Sequence, residues 1–298
     1  MRVFVTGATG FVGTAVVKEL IGAGHQVLGL VRSDASAKKL TAAGATPHNG
    51  DLENLDSLRS GTAESDGVIH CGFIHDFARF KEVCEVDKKA IETIAAVLKG
   101  SNRPLLVTSG TAIVSPGKLA IETTIPPFHP EWPRASEQAA DQAVTALDVK
   151  ASSIRLSPSV HGDGDLHGFV PILINIARQK GASAYVGEGG NRWNAVHRLD
   201  AAHLYRLALE KGEGGVRYHA VGEEAITFKS IAEAIGKKLN IPVVSKSSEE
   251  AAEHFGWFGR FAAIDCPASS QITQEHLNWH PTHSTLLADI TGNVYIQS

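Results

Sequence analysis

The chain has 298 residues but only four tyrosines, Tyr185, Tyr205, Tyr218 and Tyr295, so its first 184 residues contain none. Chemistry that takes a phenol from the N-terminal half is thereby excluded. Cysteine is nearly as scarce: Cys71, Cys84 and Cys266 form no CxxC pair and are odd in number. That excludes a disulfide framework and points to reduced thiols in a cytosolic setting. Neither charge is in excess, because 28 Lys+Arg against 32 Asp+Glu leave −4. A nucleic-acid partner is therefore not expected, since neutralising phosphates takes clustered Lys and Arg. No apolar run reaches the ~18 residues of a membrane span, and no leader-like segment precedes the first strand, where Arg2-Val3-Phe4-Val5 runs straight into a glycine turn. The expectation is a soluble, cytoplasmic protein without a membrane partner.

The composition is that of an ordinary globular chain, with 43% hydrophobic residues and a length that buries a core without disulfides or structural metal. The N-terminal half alternates apolar runs with helical patterns. Strands are expected at 3–6, 26–31, 46–48, 67–70, 105–109 and 152–156, and helices at 11–23, 35–43, 55–61, 78–99 and 136–147. This alternation signals a parallel α/β sheet. The stretch 115–133 carries Pro116, Pro126, Pro127, Pro130 and Pro133, which excludes a continuous helix or central strand there. The stretch 157–168, with Gly162, Gly164 and Gly168, reads as a second loop. Further helices are expected near 169–180, 200–211 and 229–239.

The first strand runs directly into Thr6-Gly7-Ala8-Thr9-Gly10-Phe11-Val12-Gly13. Glycines at 7, 10 and 13 allow a tight turn, close approach to a pyrophosphate and close helix–strand packing. The helix start offers free N–H groups and the positive end of its dipole to that phosphate. Gly7, Thr9, Gly10, Phe11, Val12 and Gly13 are thus the expected dinucleotide cradle. The end of the second strand, Leu30-Val31-Arg32-Ser33, lacks the carboxylate that usually takes the ribose 2′-hydroxyl of NAD. Arg32, assisted by Ser33 and Lys38, suits a 2′-phosphate, so NADP(H) is favoured over NAD(H). The alternative leaves Arg32 in solvent and gives the ribose to Asp34. Asp51 and Leu52 are expected at the adenine edge, and Cys71, Gly72 and Phe73 along the phosphate–ribose floor.

These residues resemble the extended short-chain dehydrogenase/reductases, on the NAD(P)-dependent epimerase, dehydratase and reductase branch. The opening TGATGFVG carries the resemblance, with Gly50-Asp51-Leu52 and Val107-Thr108-Ser109-Gly110-Thr111. It continues through Ile154-Arg155-Leu156-Ser157-Pro158-Ser159-Val160-His161-Gly162 and Val196-His197-Arg198-Leu199-Asp200-Ala201-Ala202, to about residue 240. It implies a Rossmann-type doubly wound parallel sheet over 1–157. Residues 158–298 would form mainly a smaller substrate lobe, with about 190–210 returning to the first domain. It also implies a small-molecule substrate and a homodimer.

In that family a Tyr-x-x-x-Lys pair after the fifth strand moves the proton, the lysine lowering the tyrosine pKa. Aligned on Ser136 and Asp141, this chain places Pro133 and Glu137 at those positions, and no register supplies a tyrosine before 185. The chain therefore resembles the family's atypical members. Thr111 and Ser109 at the strand end are candidate substrate-orienting hydroxyls, with backbone hydrogen bonding as their alternative role. Arg134 and Glu137, three apart, are candidates to face one another or the cofactor, Arg134 holding a carboxylate or phosphate of substrate. The alternative is an exposed salt bridge. His75, beside Asp76 after the fourth strand, is a candidate acid–base group, or else a surface loop histidine. His161, His167, Asp163 and Asp165 invite a metal reading. The resemblance instead makes their loop a wall of the substrate pocket, and no metal site is expected. Trp193, His197 and Arg198 fall where the family approaches substrate, with a structural role the alternative for Arg198. Phe255, Trp257, Phe258 and Phe261 read as the smaller lobe's core, or else as a lid or subunit contact.

The function expected is an atypical NADP(H)-dependent oxidoreductase of a small carbonyl, imine or alkene substrate. The alternatives are a non-redox isomerase, epimerase or cyclase on the same scaffold, or a non-catalytic NAD(P)-binding regulator. Fold analogy alone does not separate them.

Overall fold

Runs such as 3–5, 68–69 and 105–107 are apolar at every position, which is stable only where both faces of a sheet are covered. The computed structural model, which describes residues 1–126 and 133–295, builds such a sheet. Its strands are β1 (Arg2–Thr6), β2 (Gln26–Val31), β3 (Thr46–Asn49), β4 (Gly67–His70), β5 (Pro104–Gly110) and β6 (Lys150–Leu156). Then follow β7 (Ser159–His161), β8 (Ser183–Val186), β9 (Arg192–His197), β10 (Arg217–Ala220), β11 (Glu223–Thr227) and β12 (Val243–Lys246). The helices that matter here are α1 (Phe11–Gly22), α2 (Asp34–Ala42), α3 (Leu55–Ala63), α4 (Phe80–Leu98), α5 (Ser136–Leu147), α6 (Phe169–Lys180) and α7 (Arg198–Lys211).

Seven strands in the order β10-β6-β5-β4-β1-β2-β3 form one sheet, parallel throughout. The strand order 3-2-1-4-5-6 within it is the doubly wound dinucleotide-binding arrangement, whose ligand crevice opens where the order reverses, between β1 and β4. One face is covered by α1 and α7, with Val16, Leu20, Leu204 and Ala208 in the seam. The other is covered by α4 and α5 through Ile91, Ile94, Ala139 and Ala143. A second lobe holds the sheets β11-β9-β7 and β12-β8 around Trp193, Phe228, Phe255 and Phe258. Of the aromatic group expected in that core, Phe258 is fully buried whereas Trp257 is 56% exposed.

Two expectations about this half need correction. The stretch 157–168 is not loop throughout, because 159–161 forms β7 and pairs in parallel with β9. The chain also returns to the large sheet differently. Of 190–210, α7 packs on α1, but β9 stays in the second lobe. Beyond it, β10 adds a seventh strand that pairs along β6 and covers its outer edge. The proline-rich stretch is irregular over 115–126, tied down by a bridge between Ala120 and Ala268. Pro127 and Pro130 lie outside the described residues. Among the described residues, no helix is long and apolar enough to cross a membrane.

Candidate active site

The crevice floor is made of backbone. Gly7 sits at φ 66°, and a Cβ there would stand 2.8 Å from Gly72 Cα. At Gly13 it would stand 2.0 Å from the Gly7 carbonyl oxygen, an impossible contact. So Gly7 and Gly13 let β1, the head of α1 and the loop after β4 approach backbone to backbone, with no room for a Cβ at either position. The α1 N-cap, Gly10, brings no capping side chain, and the first turn contains no acid. The free N–H groups of that turn and its dipole are thus uncompensated. These features fit the pyrophosphate of a dinucleotide. Thr9, Phe11 and Val12 line the turn and are half-buried.

The strand-end residues expected around that floor are present, several with local duties. Arg32 is exposed at the end of β2, and Asp34 and Lys38 are exposed on α2, which follows it. Ser33 caps α2, accepting from the Ser36 amide at 3.3 Å. Asp51 Oδ1 accepts from the amides of Glu53 at 2.9 Å and Asn54 at 2.8 Å, and Leu52 packs near Gly72. Burial pushes the Cys71 thiol up to about 12, as it faces Thr108 and Tyr205. The thiol is enclosed and protonated, although Cys71 as a residue keeps some exposure. Phe73 lies flat under Arg134, whose Cζ is 4.4 Å from the ring centroid.

The candidate proton-handling residues behave differently from expectation. Thr111 is 1% exposed, and its hydroxyl donates to Asn194 Oδ1 at 2.9 Å. Asn194 in turn donates to the Cys266 carbonyl at 2.6 Å, so Thr111 belongs to a link holding the second lobe. Thr111 Oγ1 also lies 3.3 Å from the Leu156 carbonyl at the end of β6, which is the backbone-bonding alternative. Ser109 is also buried, near enough to the Glu137 carboxylate to help lower its pKa. Arg134 and Glu137 do not face one another. Glu137 is gripped by Arg155 Nε at 2.9 Å and Nη2 at 2.7 Å, with Arg217 Nε at 3.3 Å. Burial raises the Glu137 pKa, but these cations and Ser109 outweigh it and hold the carboxyl below its usual value. Glu137 thus forms a buried ion pair, where an exposed one was the alternative.

Arg134 turns the other way, donating from Nη2 to the Thr108 carbonyl at 3.0 Å and from Nε to Ser136 Oγ at 3.0 Å. Beside it, the His75 ring meets Phe73 edge-on at 5.4 Å. Crowding of the ring, then the Arg134 charge, holds the His75 pKa below the ordinary imidazole value even though the residue keeps solvent contact. The residues that invited a metal reading are placed apart in their roles: His161 bonds Asp289 at 2.6 Å, Asp165 accepts from the Gly168 amide at 2.8 Å, and His167 is exposed. Another trio, His197, Asp200 and His283, does bring its donor atoms within 4.8 Å of one another. Its two rings stack at 4.7 Å and 9°, so their in-plane lone pairs run parallel and do not converge on one ion.

With this geometry in place, comparison with known proteins is informative. The NAD dependent epimerase/dehydratase family matches residues 3–221. The chain belongs to this family. A Schizosaccharomyces pombe protein of uncharacterized function is 53% identical over 99% of this chain and 100% of its own length. A Stigmatella aurantiaca 4-hydroxy-2-methyl-3-oxo-4-farnesyl-3,4-dihydroquinoline-1-oxide ketoreductase is 27% identical over 86% of this chain and 80% of its own. A Dictyostelium discoideum decarboxylating sterol-4-alpha-carboxylate 3-dehydrogenase is 28% identical over 76% and 73%. Among solved structures, the NAD complex of Thermus thermophilus UDP-glucose 4-epimerase superposes with a TM-score of 0.76. It is 20% identical and covers 98% of this chain and 97% of its own, which speaks for the fold. The chain is an enzyme of this nicotinamide-dependent oxidoreductase lineage.

This member of the family carries polar networks that sequence reasoning did not find. Beneath the floor, His70 bonds Thr6 Oγ1 at 2.9 Å and Asp87 Oδ1 at 3.1 Å, and Asp87 Oδ2 accepts from Ser136 Oγ at 2.6 Å. Thr6 also accepts from the Gly72 amide at 3.1 Å, so the chain runs from the glycine floor to Arg134. On the β6–β10 side, Arg155 additionally donates to His219 Nε2 at 3.1 Å. Burial foremost, with Arg155 adding, pushes His219 down to about 4. His70, the one polar residue of β4, was an available signal, whereas Arg155 and His219 sit in strands that carry other polar residues; the partners lie 17 to 64 positions away in sequence.

Proposed function

We propose that the protein is an NADP(H)-dependent oxidoreductase of a small organic substrate bearing a carbonyl, imine or alkene, with proton transfer that does not use tyrosine. The observation that carries the cofactor preference is the end of β2, where Arg32 stands exposed and the strand end itself offers no carboxylate, with exposed Lys38 on the following α2. A guanidinium there recognises a 2′-phosphate, which a nicotinamide dinucleotide lacking it does not supply. Bound at the glycine floor, the cofactor would exchange hydride with a substrate carbon.

Around that carbon the chain offers Arg134 and His75. Arg134 is held over Phe73 with two of its nitrogens engaged, and Nη1, which bonds nothing among the described residues, is the one assigned to a substrate oxygen on which charge develops. His75, adjacent and largely neutral near pH 7, is the group assigned to proton exchange, directly or through water. The names of the ketoreductase and dehydrogenase relatives agree with a carbonyl–alcohol couple. The internal bond of Thr111 and the burial of Ser109 beside Glu137 favour this division over a catalytic strand-end hydroxyl.

Fluorescence titration should show NADPH bound about tenfold or more tightly than NADH, with Arg32→Ala removing most of the difference. Equal wild-type affinities would refute the preference. A carbonyl and imine panel followed by loss of NADPH absorbance should then show turnover that Arg134→Met lowers at least tenfold in kcat/KM. A panel without turnover, in which a metabolite alters NADPH affinity, would favour the regulator instead.

A further inference from the structure

Arg198 opens α7 and breaks the ordinary rule for helix ends. A cation in the first turn opposes the helix dipole. It also lacks a carboxylate at salt-bridge distance among the described residues; its hydrogen bond runs from Nη1 to the Asp163 carbonyl. Burial lowers its pKa, and the more distant Asp163 and Asp165 charges only partly oppose this. Yet the side chain is closely packed. A Cβ at Gly162 would meet its Cγ at 3.2 Å, and one at Gly164 would meet Nη1 at 3.2 Å. Both glycines have positive φ, 125° and 84°, so the loop backbone is shaped to lie against this arginine. On its other side the guanidinium lies 4.9 Å from the ring centroid of Phe11, the first residue of α1.

Two other arginines show what the remaining edge is for. Arg155 grips Glu137 with Nε and Nη2, and Arg192 grips Asp265 with Nε at 2.9 Å and Nη2 at 2.7 Å. In Arg198 the same Nε–Nη2 edge bonds nothing among the described residues. The glycine turn 6–13, meanwhile, contains no cation. Arg32 stands at the end of β2, and Arg134 is occupied at β5. Asp200 in the same turn offsets the dipole, but the guanidinium itself meets only a carbonyl and a ring among the described residues. An arginine placed against local preference with no bound carboxylate marks a site whose partner is not part of the chain. A phosphate fits a bidentate guanidinium edge.

We propose that Arg198 is the side-chain cation of the cofactor pyrophosphate, completing from the head of α7 the cradle that the α1 turn begins. This rests on the dinucleotide reading above and adds a residue outside the glycine motif. Its contribution is common to NAD(H) and NADP(H), whereas that of Arg32 is not.

Calorimetric titration of ADP-ribose, NADH and NADPH into wild type, Arg198→Gln and Arg198→Lys tests this. Arg198→Gln should weaken all three by the same factor, about tenfold to a hundredfold, leaving the NADPH:NADH ratio intact. Arg198→Lys should fall between. The Tm of cofactor-free protein should stay level or rise in Arg198→Gln, while the cofactor-induced rise shrinks. Unchanged ADP-ribose affinity overturns the assignment. So does a Gln variant that fails to fold, because an arginine kept for a ligand is dispensable to the empty fold. Wild type that binds none of the three would instead overturn the dinucleotide reading itself.

Discussion

The glycine turn between β1 and α1 and the corner between β5 and α5 face the same crevice, but they are built from different material. At the turn, backbone meets backbone, and each demand is met by residues within eight positions of one another, apart from Gly72 across the floor. At the corner, the side chains near the expected catalytic positions are drawn into networks with distant strands. Glu137 pairs with Arg155 and Arg217, Thr111 with Asn194, and Arg134 with Thr108 and Ser136. A backbone site announces itself through glycine spacing. A side-chain site depends on which partner the fold delivers, and here partners arrived for most of the polar groups nominated.

The contrast can be broken most directly at Glu137. Glu137→Ala would leave Arg155, which is fully buried, without its carboxylate, at a cost of about 3–5 kcal/mol of stability. Denaturant unfolding measures this, and a variant as stable as wild type but poor in turnover would return Glu137 to the catalytic list. Next in size is the response of the same network to acid. His219 is pushed down to about 4, so the unfolded chain binds its proton more readily than the folded one. Stability is then complete above roughly pH 6.5 and falls as pH drops from there towards about 4, by on the order of 3 kcal/mol. Urea midpoints across that range should fall less steeply in His219→Gln. Superimposable pH curves for the two proteins would count against it.

The smallest stability effect belongs to the turn. Gly13→Ala forces its Cβ against the Gly7 carbonyl and should cost about 1–3 kcal/mol as the backbone shifts, yet abolish detectable dinucleotide binding. A folded Gly13→Ala protein with wild-type NADPH affinity would undo the claim that this floor is shaped for a ligand.

Much of the fold was legible because local rules act there without competition. Apolar runs such as 105–107 announced buried parallel strands, and the expected helix at 136–147 coincides with α5. The seventh strand was not legible. Arg217-Tyr218-His219-Ala220 carries two polar residues in four, and it is a strand because the outer edge of β6 needs a partner. The same reason explains the nominated site. Phe73, His75 and Arg134 do come together, whereas Ser109, Thr111 and Glu137 serve the interior.

By itself, the sequence determined the parallel α/β order, the glycine floor and the lack of a tyrosine before residue 185. These rest on backbone sterics and on composition, which hold whatever the rest of the chain does. Only the tertiary structure decided which charges are satisfied internally and which still reach outward. Arg155, Arg192 and Arg198 look alike in the sequence, yet the first two close on carboxylates 18 and 73 positions away while the third presents its open edge beside Phe11. An ion pair is a property of two positions in space, and sequence separation carries no record of it.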